Sequence, residues 1–123
     1  MFQNSKTIVI VEPNPEMIKP YVYLGDKPTI LRVNTINQAV TAIGNIIPEL
    51  ILLSASFSPQ STIKLLETIK RIYQPELIPI IQVVDRSNKI SYIPGVSWNH
   101  KIRTIDNFFG KKEFLLVVKS VME

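Results

Sequence analysis

The chain has 123 residues, a net charge of +4, 46% hydrophobic residues and no cysteine. This length fits a single domain, 1–123, with the composition of an ordinary globular protein. The apolar runs are too short to span a membrane, and the N-terminus lacks the layout of a signal peptide. We therefore expect a cytoplasmic protein without disulfides, thiolate metal sites or cysteine nucleophiles.

Five segments are predicted to be β-strands. Thr7–Val11, Leu50–Leu53 and Ile78–Val84 are nearly continuous apolar runs, the pattern of strands that are buried on both faces of a parallel sheet. Thr29–Val33 and Ile102–Ile105 are weaker, and the alternation in the latter predicts an edge strand.

Two helices are predicted between the first and third strands. The first, from about Pro15 to Leu24, must be short or kinked because Pro20 lies inside it. The second carries apolar residues at i, i+3, i+4 and i+7, with Asn34 or Thr35 as its N-cap. Its stripe consists of Ile36, Ala39, Val40 and Ile43.

Three further helices follow. The third begins near Ser58 or Ser61 and ends with Lys70 and Arg71, where the helix dipole favours cations. The fourth, residues 87–93, is ended by a Pro-Gly pair, and the fifth follows a glycine at position 110. The stripes of the third and fifth helices are Ile63, Leu65, Leu66, Ile69 and Ile72, and Phe114, Leu115, Val117, Val118 and Val121.

Strands that alternate with helices predict the α/β class. Right-handed crossovers then give a flavodoxin-like (βα)5 three-layer sandwich, with a five-stranded parallel sheet in the order 2-1-3-4-5. The ligand crevice of such a sheet lies at the carboxyl ends of strands 1 and 3. In this chain the crevice is lined by Glu12, Pro13, Asn14, Ser54 and Ala55.

Four segments carry a resemblance to a known family. They are residues 8–13 at the end of the first strand, 48–53 in the third, 78–81 in the fourth and 113–116 in the last helix. In order and spacing, the chain resembles the CheY-like receiver domain of bacterial two-component response regulators over essentially its full length. The resemblance implies a role in phosphorelay signal transduction.

The family's chemistry requires three acidic groups around Mg²⁺, which prefers oxygen ligands and neutralises charge during phosphoryl transfer. The acidic pair after strand 1 corresponds here to Glu12 and Pro13, so one carboxylate is retained. The aspartate that accepts the phosphoryl group corresponds to Ser54, a hydroxyl that is a poor nucleophile without an adjacent base.

The family's switch residues are also replaced. The hydroxyl residue after strand 4 corresponds to Val84, and the lysine after strand 5 corresponds to Asn107, or to Asp106 if the register slips by one. The resemblance therefore implies a degenerate pseudo-receiver that lacks the phospho-acceptor aspartate. We expect no enzymatic activity, no cofactor and no Mg²⁺ binding.

Other functions fit the same residues less well. A hydrolase with Ser54 as nucleophile and His100 as base lacks the glycines of a nucleophile elbow. His100 has no neighbouring ligands at metal-site spacing, and the isolated glycines predict no nucleotide cofactor. A flavodoxin-like domain without signalling ancestry would leave Glu12 and Ser54 as ordinary loop residues.

The positive charge lies in the second half of the chain, where residues 64–123 hold ten basic and six acidic side chains. In receivers the surface of helix 4, strand 5 and helix 5 commonly carries partner or dimer contacts. The leading hypothesis is therefore a phosphorylation-independent module that binds another signalling protein with an acidic surface, or forms a homodimer there. The predicted contact residues are Arg86, Lys89, Arg103, Lys111, Lys112 and Lys119.

Three alternatives stay open. In the first, the chain is an atypical response regulator that is phosphorylated at or near Ser54. In the second, it is a nucleic-acid-binding regulatory protein that uses its basic half. In the third, its basic face is solvated and has no fixed partner. The nucleic-acid alternative lacks an identifiable recognition helix.

Overall fold

The computed structural model describes residues 7–14, 29–54, 56–73, 78–84, 102–106 and 110–122. The described strands and helices follow the predicted chain order. The strands are β1 (Thr7–Val11), β2 (Thr29–Val33), β3 (Pro48–Ser54), β4 (Ile80–Val84) and β5 (Ile102–Asp106); the helices are α1 (Ile36–Asn45), α2 (Pro59–Ile72) and α3 (Lys111–Met122).

All described strand pairs are parallel, and the strands are ordered β2-β1-β3-β4-β5. The predicted α/β class with a parallel sheet is therefore confirmed. The apolar strands β1, β3 and β4 lie inside the sheet, while the weaker strands β2 and β5 form its edges. This placement follows from burial, because only interior strands are covered on both faces.

Side chains alternate along β1 between two separate hydrophobic clusters. Ile8 and Ile10 belong to the cluster that contains Phe114 of α3. Val9 and Val11 belong to the cluster formed with α1 and α2. Helices therefore cover both faces of the sheet, which gives three layers.

Two helix starts are fixed by side-chain caps. The backbone N–H of Gln38 donates to the hydroxyl of Thr35, and that of Ser61 donates to the hydroxyl of Ser58. These contacts satisfy N–H groups that have no partner within the helix. Of the alternatives left open by the sequence, Thr35 caps α1 and Ser58 caps α2.

The buried face of α2 differs from the predicted stripe. Ile72 is 44% exposed, whereas Thr62 and Thr68 are buried. Each threonine hydroxyl donates to the carbonyl four residues earlier, at 3.0 Å for Thr62 and 2.8 Å for Thr68, so burial leaves no unpaired group. The prediction that Ile72 lies in the stripe was therefore wrong.

Strand β4 begins at Ile80, two residues later than predicted. The carbonyl of Pro79 accepts a hydrogen bond from the backbone N–H of Ile51 at 3.0 Å. Proline has no N–H to donate to a ladder, which explains the later start. The predicted first and fourth helices, residues 15–24 and 87–93, lie outside the described residues. Within the described part of the chain, no helix is long and apolar enough to cross a membrane.

Candidate functional site

The predicted crevice lies where β1 and β3 end. Val11 is paired with Leu53, so the next residues, Glu12 and Ser54, lie side by side. Both are polar and both are buried, with exposed fractions of 6% and 5%. The carboxyl ends of adjacent parallel strands meet at one edge of the sheet, so topology alone brings these two side chains together.

Glu12 is held by three hydrogen bonds. Its backbone N–H donates to the carbonyl of Val33 at 3.0 Å, which extends the contact between β1 and β2 by one residue. Its side chain accepts hydrogen bonds from the hydroxyl of Ser54 and from the backbone of Asn14. Burial raises the pKa of the Glu12 carboxyl above its ordinary value, and the two donors oppose that rise only in part.

The Ser54 hydroxyl makes hydrogen bonds within its own chain. It accepts the backbone N–H of Ser56 at 3.1 Å. The Oγ atoms of Ser54 and Ser56 are 2.5 Å apart, a hydrogen bond in which either hydroxyl can be the donor. A further hydrogen bond joins Ser54 to the side chain of Glu12.

The other predicted crevice residues are only partly described. Pro13 and Asn14 are exposed at the rim. Val84 is the last residue of β4, and its backbone is paired with Asp106, while Val83 is paired with Ser54. The side chain of Val84, together with Ala55 and Asn107, lies outside the described part.

The described crevice residues supply fewer ligands than a receiver-type Mg²⁺ site uses. Among them Glu12 supplies one carboxylate, Pro13 supplies no ligand side chain, and the hydroxyl of Ser54 is hydrogen-bonded within the chain. Mg²⁺ needs near-octahedral oxygen coordination, usually with more than one anionic ligand. In the described ranges no group of three or more histidine, cysteine, aspartate or glutamate side chains is placed to hold a metal ion.

The predicted partner surface is described at four of its six positions. Arg103, Lys111, Lys112 and Lys119 are all exposed, on β5 and α3. Arg103 donates from Nε to the hydroxyl of Ser120 at 3.3 Å, which joins β5 to α3. Arg86 and Lys89 lie outside the described residues.

One apolar residue on this surface was missed by the sequence prediction. Leu116 is 58% exposed and lies between Lys112 and Lys119 along α3. Two open hollows, of about 530 and 580 Å³, are both lined by Leu116 together with Lys111 and Lys112. The available signal was its position out of phase with the buried residues Phe114 and Val118, which marks it as facing away from the core.

The substitution Glu12→Gln tests whether the pKa of the Glu12 carboxyl is raised in the folded chain. A carboxyl whose pKa is higher in the folded state contributes stability that is present below the unfolded value of 4.5 and is lost as the pH rises through the folded value. Glu12→Gln is neutral at every pH. We expect it to gain stability relative to the wild type as the pH rises above 4.5.

The measurement is urea unfolding of both proteins across this pH range. Glu67→Gln, which removes an exposed carboxylate on α2, is the matched control for the loss of one charge. A stability difference between Glu12→Gln and the wild type that is independent of pH would contradict the prediction.

The comparisons with known proteins give structural neighbours only. No family model and no curated protein matches the sequence. The receiver domain of NtrX from Brucella abortus superposes with a TM-score of 0.70 at 19% identity, over 94% of this chain and 97% of that one. The CheY-like receiver domain protein from Methanospirillum hungatei JF-1 gives 0.73 at 12% identity, over 95% and 94%.

A third neighbour has the same architecture. The N-terminal domain of a response regulator/sensory box/GGDEF protein from Carboxydothermus hydrogenoformans gives a TM-score of 0.68 at 17% identity, over 95% of this chain and 94% of that one. Similarity at this level of identity establishes the fold. The chain therefore has the fold of response-regulator receiver domains.

Proposed function

We propose that this chain is a receiver-like signal-transduction domain of the two-component type that works without phosphorylation, by binding another signalling protein. The single observation that carries the proposal is the residue at position 54. At the position that corresponds to the phospho-acceptor there is a buried hydroxyl, hydrogen-bonded to Ser56 and Glu12, in place of a carboxylate. A serine hydroxyl is a weak nucleophile unless a base activates it.

The proposal includes the loss of metal-dependent chemistry. Phosphoryl transfer needs Mg²⁺ to neutralise the developing charge, and the described residues of the crevice offer one carboxylate, that of Glu12. Burial keeps the pKa of this carboxyl raised, which disfavours its charged form. We therefore propose that the chain is not an enzyme and uses no Mg²⁺ or other cofactor.

The proposed partner surface is the exposed basic side of β5 and α3. Arg103, Lys111, Lys112 and Lys119 all project there, and an acidic surface on the partner would complement them. A homodimer through this surface is a second way in which it could be covered. In a two-fold homodimer, the four described cations of this surface would face the same four cations of the second copy, and Glu113 is the described carboxylate beside them. Because like charges repel, the surface favours a different, acidic protein.

The test is exposure of the intact chain to a small-molecule phosphodonor and Mg²⁺, followed by intact-mass measurement. We expect no mass increase, while a phosphorylatable receiver domain treated in parallel gains one phosphoryl group. A stoichiometric gain by this chain would overturn the proposal.

One observation supports a second function, that of an atypical response regulator phosphorylated at Ser54. The Glu12 carboxylate accepts the proton of this hydroxyl, and an adjacent base is what activates a serine. In this case the same experiment gives a gain of one phosphoryl group in the wild type and none in Ser54→Ala or Glu12→Gln. A gain that persists in Ser54→Ala would assign the modification to another residue.

A further inference from the structure

We infer that the partner is an acidic helix that carries a pair of apolar side chains and packs against the outer side of α3. The surface concerned, called here the basic helix face, consists of Lys111, Lys112, Leu116 and Lys119. This inference rests on the proposed function, because it specifies the chemistry of the partner. The shape, the spacing and the charge of the face support it.

The face combines an exposed apolar side chain with two open hollows. Leu116 is 58% exposed and lines both hollows, in a helix that buries Phe114, Val118 and Val121. The described lining of the 530 Å³ hollow includes Leu115, and that of the 580 Å³ hollow includes Val117. Two apolar side chains of a partner would fill these hollows and enclose Leu116.

The spacing of the face matches one side of a helix. Lys112, Leu116 and Lys119 follow one another at i, i+4 and i+7, which spans about 10 Å along the axis of α3. A second helix laid along this line presents side chains with the same repeat. Acidic residues on either side of its apolar pair would meet the two lysines.

The charge of the face selects an acidic partner. Lys111, Lys112 and Lys119 are all exposed, so a partner that packs on this face would meet their ammonium groups. Glu113 supplies a single carboxylate at the edge of the second hollow. Lysine side chains also cover apolar surface with their methylene stems while the charge stays in water, so the cations and the hollows act together.

The probe is a synthetic peptide of about 16 residues, long enough to form a marginal helix, with two leucines four positions apart and flanked by glutamates. Its affinity for the full chain is measured by fluorescence anisotropy. We expect Lys112→Glu combined with Lys119→Glu to weaken binding at least about tenfold, since two attractions become repulsions. Leu116→Ala is expected to weaken it about fivefold, because it removes apolar contact area.

Matched variants elsewhere serve as controls. Lys64→Glu reverses an exposed lysine on α2, and Ile47→Ala trims a side chain that is 73% exposed before β3. Both should leave the affinity unchanged. A peptide in which serines replace the two leucines should lose most of its binding, and added salt should weaken what remains.

Several results would overturn the inference. The first is that the peptide does not bind, or that the serine peptide binds as tightly as the leucine peptide. The second is that Lys64→Glu weakens binding as much as the double lysine variant does. The third is that the chain binds anionic phospholipid vesicles or duplex DNA more tightly than it binds the peptide. A sedimentation experiment in which Leu116→Ala converts a dimer to a monomer would assign the face to a second copy of the chain. The phosphodonor experiment is independent: a mass gain with intact peptide binding would overturn the proposed function alone.

Discussion

Replacing Phe114 with alanine is expected to lower the free energy of unfolding by about 3 to 5 kcal/mol. Phe114 is fully buried in the first turn of α3 and belongs to the cluster that joins this helix to the sheet. Ile8 and Ile10 of β1 are in the same cluster. The variant loses the transfer free energy of the ring, and the strands hold the cavity open because their positions are fixed by hydrogen bonds on both sides.

The measurement is urea unfolding, monitored by circular dichroism. Leu116→Ala, two residues away in the same helix, is the matched control, since Leu116 is 58% exposed. We expect this control to change stability by about 0.5 kcal/mol or less. Similar losses in the two variants would contradict the burial of Phe114 and would mean that α3 is not packed on the sheet in solution.

Much of the fold could be predicted from the sequence because burial produces a regular pattern of apolar residues along each strand and helix. The continuous apolar run of β1 predicts a strand covered on both faces, and its consecutive residues Val9 and Ile10 belong to the clusters on opposite faces. The weaker patterns of β2 and β5 fit their edge positions. Each of these signals depends on neighbours along the chain, so no alignment of relatives is needed to detect it.

The parts that could not be predicted depend on contacts between distant residues or on a local choice of hydrogen bond. Thr62 is buried because its hydroxyl bonds to the carbonyl of Ser58, a choice that a hydropathy pattern does not reveal. The hydroxyl of Tyr73 contacts the carbonyls of Ile43 and Ile46, at 2.6 and 3.0 Å, about thirty positions earlier in the chain. That contact ties the end of α2 to the end of α1.

The candidate site divides in the same way. Topology predicts that Glu12 and Ser54 meet, because each residue is at the carboxyl end of a neighbouring strand. The hydrogen bonds between Ser54 and Ser56 could not be predicted, since they depend on how the backbone turns to bring Ser56 back onto the same hydroxyl. Charge alone does not predict that Leu116 belongs to the partner surface, because it is the apolar residue between the charged ones.

Aspartate at position 54 is expected to destabilise the chain by an amount on the order of 3 kcal/mol at neutral pH. Ser54 is 5% exposed and in contact with the Glu12 carboxyl, so Ser54→Asp places a second buried carboxylate beside the first. Two such groups cannot both ionise cheaply, and the pKa of one of them is raised further. The lost stability should therefore return as the pH falls, because protonation removes the repulsion.

Ser54→Asn is the matched control, because asparagine has nearly the same size and shape as aspartate and carries no charge. Thermal unfolding of both variants across a range of pH separates the effect of charge from the effect of side-chain volume. We expect the melting temperature of Ser54→Asp to be lower than that of Ser54→Asn at neutral pH, and the difference to disappear in acid. Added Mg²⁺ should raise the melting temperature of Ser54→Asp and leave that of the wild type unchanged, since only the variant offers two carboxylates. Equal stability of the two variants at neutral pH would contradict the buried, low-dielectric crevice, and a Mg²⁺ effect on the wild type would show that Glu12 alone suffices to hold the ion.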